Sequence, residues 1–101
     1  MPITLGQYNF DGPFTSTNQV LNRSGVYAVL TRANSLQSYT VIDIGESGDV
    51  RSRLDNHDRS ACWTRNNVGQ LAVAILYCDQ RTRTAVETAL RALFRPVCGD
   101  R

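Results

Sequence analysis

The sequence predicts an α/β (α+β) domain in which helices flank a small three-stranded, mainly antiparallel sheet, in the order β-β-α-β-α. Three observations predict it. Two runs rich in β-branched and aromatic residues, Gly25–Thr31 and Ser38–Ile44, stand a short polar turn apart. A third run, Leu71 to Cys78, is almost continuously apolar, which suits a central strand. Apolar residues at helical spacing follow the second and third runs.

Taken in order, the stretch from Met1 to Ser24 is mixed in character. Tyr8, Phe10 and Phe14 bracket Asp11-Gly12-Pro13, which reads as a turn, so the aromatics are expected to cover one edge of the core. Thr17 to Leu21 fits a short helical turn. The first two strands should form an antiparallel hairpin across Arg32–Gln37, and Gly45-Glu-Ser-Gly48 breaks the second. Asp49 to His57 has a helical pattern with Val50 and Leu54 on its buried side and Ser47 or Asp49 as cap. Asp58 to Gly69 is expected as a polar loop. Thr82 or Thr84 opens the last helix, Val86, Ala89, Leu90 and Leu93 form its apolar face, and Pro96 ends it.

A length of 101 residues implies one domain, 1–101, with 1–24 as an N-terminal extension packing on the core. Apolar residues make up 42% of the chain and charged residues 20%, which excludes both disorder and a membrane span. Met1 to Phe10 lacks the basic start and apolar stretch of a secretory signal, so the expected location is cytoplasmic. The three cysteines, Cys62, Cys78 and Cys98, are odd in number and widely spaced, which argues against a disulfide framework. A zinc site built from His57, Cys62 and Cys98 has only three scattered ligands to support it, so zinc is not expected. The formal net charge is +2, and all eleven basic residues are arginine. Arginine presents a planar fork of donors that matches phosphate oxygens, although a GC-rich genome that prefers arginine codons explains the composition better than function does.

The residues that could carry chemistry cluster around the second strand and first helix. Tyr27 lies on the first strand; Asp43 and Gly45 close the second. Arg53 and His57, four apart on the expected helix, share a face. Glu87 lies on the last helix between Arg83 and Arg91. Phosphodiester hydrolysis needs such groups: a cation on the phosphoryl oxygens, a group that moves a proton, and a carboxylate for a divalent metal. Taken singly, each has a plainer explanation. Tyr27 packs in a strand, Gly45 and Gly48 turn the chain, Arg53 is a solvated helix charge, and His57 sits at a helix end. Glu87 pairs with Arg83 or Arg91, Trp63 covers the core edge, and Arg59 and Arg65 are loop charges.

Taken in order, these residues make the chain resemble the GIY-YIG nucleases over roughly Gly25 to Gly99. Gly25-Val26-Tyr27 stands for the first motif of the family and Asp43-Ile44-Gly45 for the second, with Asp in place of Tyr. Arg53 and His57 match the helix pair that follows, Glu87 matches the metal-binding Glu of a later helix, and Pro96 matches the Pro after it. The family Asn near the C-terminus falls at Gly99, and Glu46 stands where some members have Lys.

The resemblance implies a GIY-YIG-like fold and metal-dependent endonuclease cleavage of DNA, with RNA as an alternative substrate. It implies Tyr27, Arg53 and His57 as catalytic residues, and Glu87 as ligand of a single Mg²⁺ or Mn²⁺. Asp43 is a further catalytic candidate assisting the metal. Gly45, Glu46, Ser47, Arg59, Trp63 and Arg65 are candidates for substrate contact, Trp63 by stacking on an exposed base. The altered second motif supports another reading, a module of the same fold that binds nucleic acid or a protein partner without cutting. A protein partner would then supply specificity.

Overall fold

The N-terminal aromatics enter the sheet instead of covering its edge. The computed structural model describes residues 2–99. In it Ile3–Leu5 (β1) and Tyr8–Phe14 (β2) form an antiparallel pair around Gly6, whose φ of 60° suits a residue without Cβ. The expected turn at Asp11-Gly12-Pro13 is an irregularity inside β2: the register against the neighbouring strand shifts between Asp11 and Phe14, and Gly12-Pro13 is cis. Proline donates no ladder hydrogen bond, so a bulge is where a strand tolerates it. A short 3₁₀ turn, Thr17–Gln19, follows as expected.

Gly25–Arg32 (β3) and Thr40–Ser47 (β4) pair antiparallel, as the spacing predicts. The break expected at Gly45-Glu-Ser-Gly48 is corrected: Gly45, Glu46 and Ser47 stay in the strand, paired with Tyr27, Val26 and Gly25. Val50–Asp55 (α1) and Ser60–Asn66 (α2) come next, then Gln70–Tyr77 (β5) and Gln80–Phe94 (α3). The architecture is α+β, with five antiparallel strands in the order β1-β2-β5-β3-β4 and three α-helices among the described residues. The expectation of three strands is corrected by β1 and β2, whose short alternating pattern is interrupted by Gly12-Pro13 and so reads as a loop. The expected loop at Asp58–Gly69 contains α2, which buries Trp63 and has no side-chain cap at its start. Without an Asp or Ser cap and with one buried anchor, its helical signal is weak.

The sheet is covered on both faces, so β3 is buried from Gly25 through Thr31 and reads as a continuous apolar run. Alternation sorts its side chains. Val26, Ala28 and Leu30 join Ile44, Ala74, Leu5 and Phe10 beneath Val86 and Leu90 of α3. Tyr27 and Val29 join Ile75, Ile42 and Val20 beneath Val50, Leu54 and Trp63 of α1 and α2. A bulge between the Val29–Asp43 and Leu30–Val41 pairs lets Ile42 and Asp43 serve the α1–α2 face while Val41 packs toward α3. Full burial of each large apolar side chain contributes roughly 1.5–3 kcal/mol.

The last helix starts earlier than expected. Asp79, not Thr82 or Thr84, is the cap: its carboxylate accepts the Thr82 N–H at 2.8 Å. Ala89 and Leu93, assigned to the apolar face, are exposed, and Val86 and Leu90 alone are buried. The helix ends in Arg95, whose φ of 46° is left-handed, immediately before Pro96.

The outer edge of β4 is covered by the segment after α3. The Cys98 N–H donates to Ile42 O at 2.9 Å, and Arg91 donates to Ile44 O. Cys98 is disulfide-bonded to Cys62 of α2 across 36 residues. This corrects the reading of the cysteine count and spacing as evidence against disulfide bonding. The odd count is resolved by one bridge and free Cys78, and the two partners are distant in sequence because they meet only once the sheet edge is built. The same bond consumes both thiols that the zinc reading required. No helix among the described residues is long and apolar enough to cross a membrane.

Candidate functional site

The site is built on the paired positions Tyr27 and Gly45 of β3 and β4. Tyr27 lays its ring across its neighbour, and a Cβ at residue 45 would collide with Tyr27 Oη and Cζ. Glycine is therefore required at 45 by side-chain packing. The Tyr27 hydroxyl is hydrogen-bonded to His57 Nε2. Both residues are buried, Tyr27 at 1% and His57 at 6% exposure.

His57 is not on the helix with Arg53. The first helix stops at Asp55 with Asn56 as its C-cap, so the expected shared face does not form. His57 instead lies in the connection to α2, where its ring packs on Trp63 at 4.5 Å between centroids. Its Nδ1 accepts the Arg59 backbone N–H at 2.9 Å. A neutral imidazole has one donor and one acceptor nitrogen. With Nδ1 accepting, Nε2 carries the proton and donates to Tyr27 Oη. Burial, with the charges of Arg53 and Arg59, pushes the His57 pKa down to about 4, so the ring is neutral near pH 7. Asp58 Oδ1, 3.3 Å from Nδ1, is consequently no ion-pair partner of this ring. Burial pushes the Tyr27 phenol up to about 12, against the pull of Arg59 and Arg53.

Arg53 pairs with Asp58 at 3.2 Å near the surface, its side chain 39% exposed. Among the described residues no hydrogen bond or ion pair joins Arg53 or His57 to Glu87. The link between the two groups is Arg59, which acts electrostatically on Tyr27, His57 and Glu87 alike.

Asp43 is the anchor of that link. Its carboxylate has no exposure and accepts from Arg59 Nε at 2.9 Å, Arg59 Nη2 at 3.2 Å, Trp63 Nε1 at 2.7 Å and Arg91 Nη1 at 3.1 Å. A buried carboxylate needs such pairing and hydrogen bonding to remain charged. Burial works against the Arg59 charge, but the Asp43 hydrogen bond and charge outweigh it, and the Arg59 pKa is raised. These contacts correct two expectations. Asp43 has no free oxygen face to offer a metal. Trp63 is buried with its N–H committed to Asp43, so it has no open face on which a base would stack. Arg91 enters the hub beside Arg59; as one of two arginines flanking Glu87 in sequence, it carried no signal of this role.

Glu87 sits half-buried on α3, on the other side of the β4 edge. Burial, and then the nearby Glu46 carboxylate, raises its pKa. It makes no ion pair within 4 Å among the described residues, because Arg83, an expected partner, binds Glu46 at 3.0 Å and Ser24 Oγ at 2.8 Å. Glu46, a candidate for substrate contact, is thus committed to α3. Ser47 Oγ accepts the Asp49 N–H at 3.0 Å and organises the entry to α1, where Asp49 is the cap. Arg65 is exposed on α2.

Family models, curated proteins and solved structures contain no match to this chain.

The chemical capacity of the site therefore rests on its own geometry. No cluster of three or more His, Cys, Asp or Glu among the described residues forms a cage for a metal. A hard divalent cation that keeps most of its waters needs as few as one carboxylate from the protein. Glu87 is the candidate for that carboxylate: among the described residues it has no ion pair within 4 Å, it is partly desolvated, and the nearby Glu46 charge works against the charges of Arg91 and Arg59.

Proposed function

We propose that this chain is a divalent-metal-dependent endonuclease of GIY-YIG type acting on DNA. The observation that carries the reading is the Tyr27–His57 hydrogen bond, with its tautomer set by the Arg59 N–H, beside the guanidinium of Arg53. It supports a division of labour among the chain's own groups. Arg53 binds a phosphoryl oxygen and stabilises the charge that builds there. His57 acts as hydrogen-bond donor through Nε2–H and holds Tyr27 Oη in place. Tyr27 Oη, once its own proton has passed to solvent hydroxide, takes the proton of the attacking water as phenolate; the Nε2–H and the arginine charges offset part of the burial that pushes its pKa up to about 12. Glu87 holds Mg²⁺ or Mn²⁺, which when bound supplies charge neutralisation at the phosphate. Arg59 ties the two halves electrostatically.

A second reading has its own observation. Tyr27 and His57 are closed to solvent, which favours a nucleic-acid-binding or protein-binding module that does not cut. Incubation of supercoiled plasmid with Mn²⁺ and wild-type, Glu87→Gln or Tyr27→Phe protein separates them. Metal-dependent nicking by wild type, reduced at least a hundredfold in both variants, is expected. Absence of nicking, or equal nicking by all three, overturns the nuclease reading.

A further inference from the structure

We propose that Asp58 occupies the phosphate position on Arg53, and that a phosphate group of the substrate must displace this carboxylate before the Tyr27–His57 pair is reached. The inference deepens the nuclease reading and rests on it for the role of Arg53. Four observations lead to it. The Asp58 side chain is 74% exposed, yet it is aimed back at the protein, with Oδ1 3.2 Å from Arg53 Nη2. Its other close neighbour, His57 Nδ1 at 3.3 Å, already accepts the Arg59 N–H. Two acceptors therefore face each other, and among the described residues Arg53 is what holds the Asp58 carboxylate. Arg53 also acts on Tyr27, where its charge and hydrogen bond work against the rise in the phenol pKa, so the guanidinium that holds Asp58 is the one beside the hydroxyl.

An exposed pair of this kind is weak and exchanges readily. A phosphate brings more acceptor oxygens and a charge that matches the guanidinium fork. Asp58 therefore acts as an internal competitor. It keeps Arg53 oriented and its guanidinium occupied when no phosphate is present, and it yields to phosphate. It is a positioning residue that sets the threshold for substrate entry.

The full chain, Asp58→Asn, Asp58→Ser, Arg53→Gln and the Asp58→Asn/Arg53→Gln double variant are titrated with inorganic phosphate, followed by the amide resonances of residues 57–60. The same proteins are titrated with a short DNA duplex in EDTA by fluorescence anisotropy. Asp55→Asn controls for the general change in charge. Both Asp58 variants are expected to bind either probe about five- to tenfold more tightly than wild type. That gain should vanish in the double variant and be absent from Asp55→Asn. Equal or weaker binding by the Asp58 variants, or a gain that survives loss of Arg53, overturns the inference. Nicking by wild type with no gain in the Asp58 variants sinks this inference alone. A gain without nicking by any protein sinks the nuclease reading and leaves the anion site standing.

Discussion

His57 Nε2 donates to Tyr27 Oη while the backbone N–H of Arg59 occupies Nδ1, so the order of hydrogen bonds from Arg59 to Tyr27 is fixed in one direction. The neutral ring is a donor at the hydroxyl and cannot take the phenol proton while this arrangement lasts. That direction, together with burial, determines how the protein should respond to pH.

Stability should fall on acidification through His57. Its folded pKa, about 4, is depressed below the ordinary 6.5. The unfolded chain binds the extra proton first, so this contribution is complete above about pH 6.5 and is lost as pH falls toward 4. The loss is on the order of 2–3 kcal/mol. Urea unfolding at pH 7, 5.5 and 4 should show it in wild type and show a flatter profile in His57→Gln. Parallel profiles would refute the assignment.

The Tyr27 phenol should titrate late, near pH 12. Absorbance at alkaline pH, compared between wild type and Tyr27→Phe, should isolate one late ionisation. Any nicking that uses the Tyr27 phenolate should accelerate about tenfold per pH unit above neutrality. A rate independent of pH between 7 and 9.5 would remove Tyr27 as the base.

Asp43→Asn should be among the most destabilising single changes. It leaves Arg59 and Arg91 partly buried beside a neutral group, and breaking one side of such a buried network costs about 3–5 kcal/mol. Chemical denaturation measures it. A cost below about 1 kcal/mol would show that the hub is dispensable.

Reduction of the Cys62–Cys98 bond should lower the melting temperature. Cross-linking residues 36 apart restricts the unfolded chain by roughly 3–4 kcal/mol. Cys62→Ser should reproduce the effect of reductant, and amide exchange at Cys98 should accelerate as its bond to Ile42 loosens. An unchanged melting temperature in both would place the bond outside the stability of the folded state.

Much of the architecture was legible. The β3–β4 hairpin, β5 as an interior strand and the 3₁₀ turn follow from residue pattern alone, because two-sided burial writes itself as continuous apolar runs. The elements that were missed carry weak local signals: β1 and β2, divided by Gly12-Pro13, and α2, uncapped and anchored through Trp63. The site was legible as a set of residues more than as a set of contacts. Tyr27 and His57 do meet, although His57 arrives from a connection, not a helix face. The roles of Asp43, Arg91 and the two cysteines depend on what crosses the β4 edge after folding, and no spacing in the sequence encodes that meeting.

The missing side chain at Gly45 has a consequence for descent. Because the ring of Tyr27 fills the space where a Cβ would stand, neither position can change freely while the other is kept. A lineage that abandons the tyrosine releases its cross-strand neighbour to vary, whereas one that retains it inherits the glycine as well. Among sequences that diverge from this one, the two sites should be kept or lost together, so that survival of the glycine marks survival of an aromatic ring across the strand.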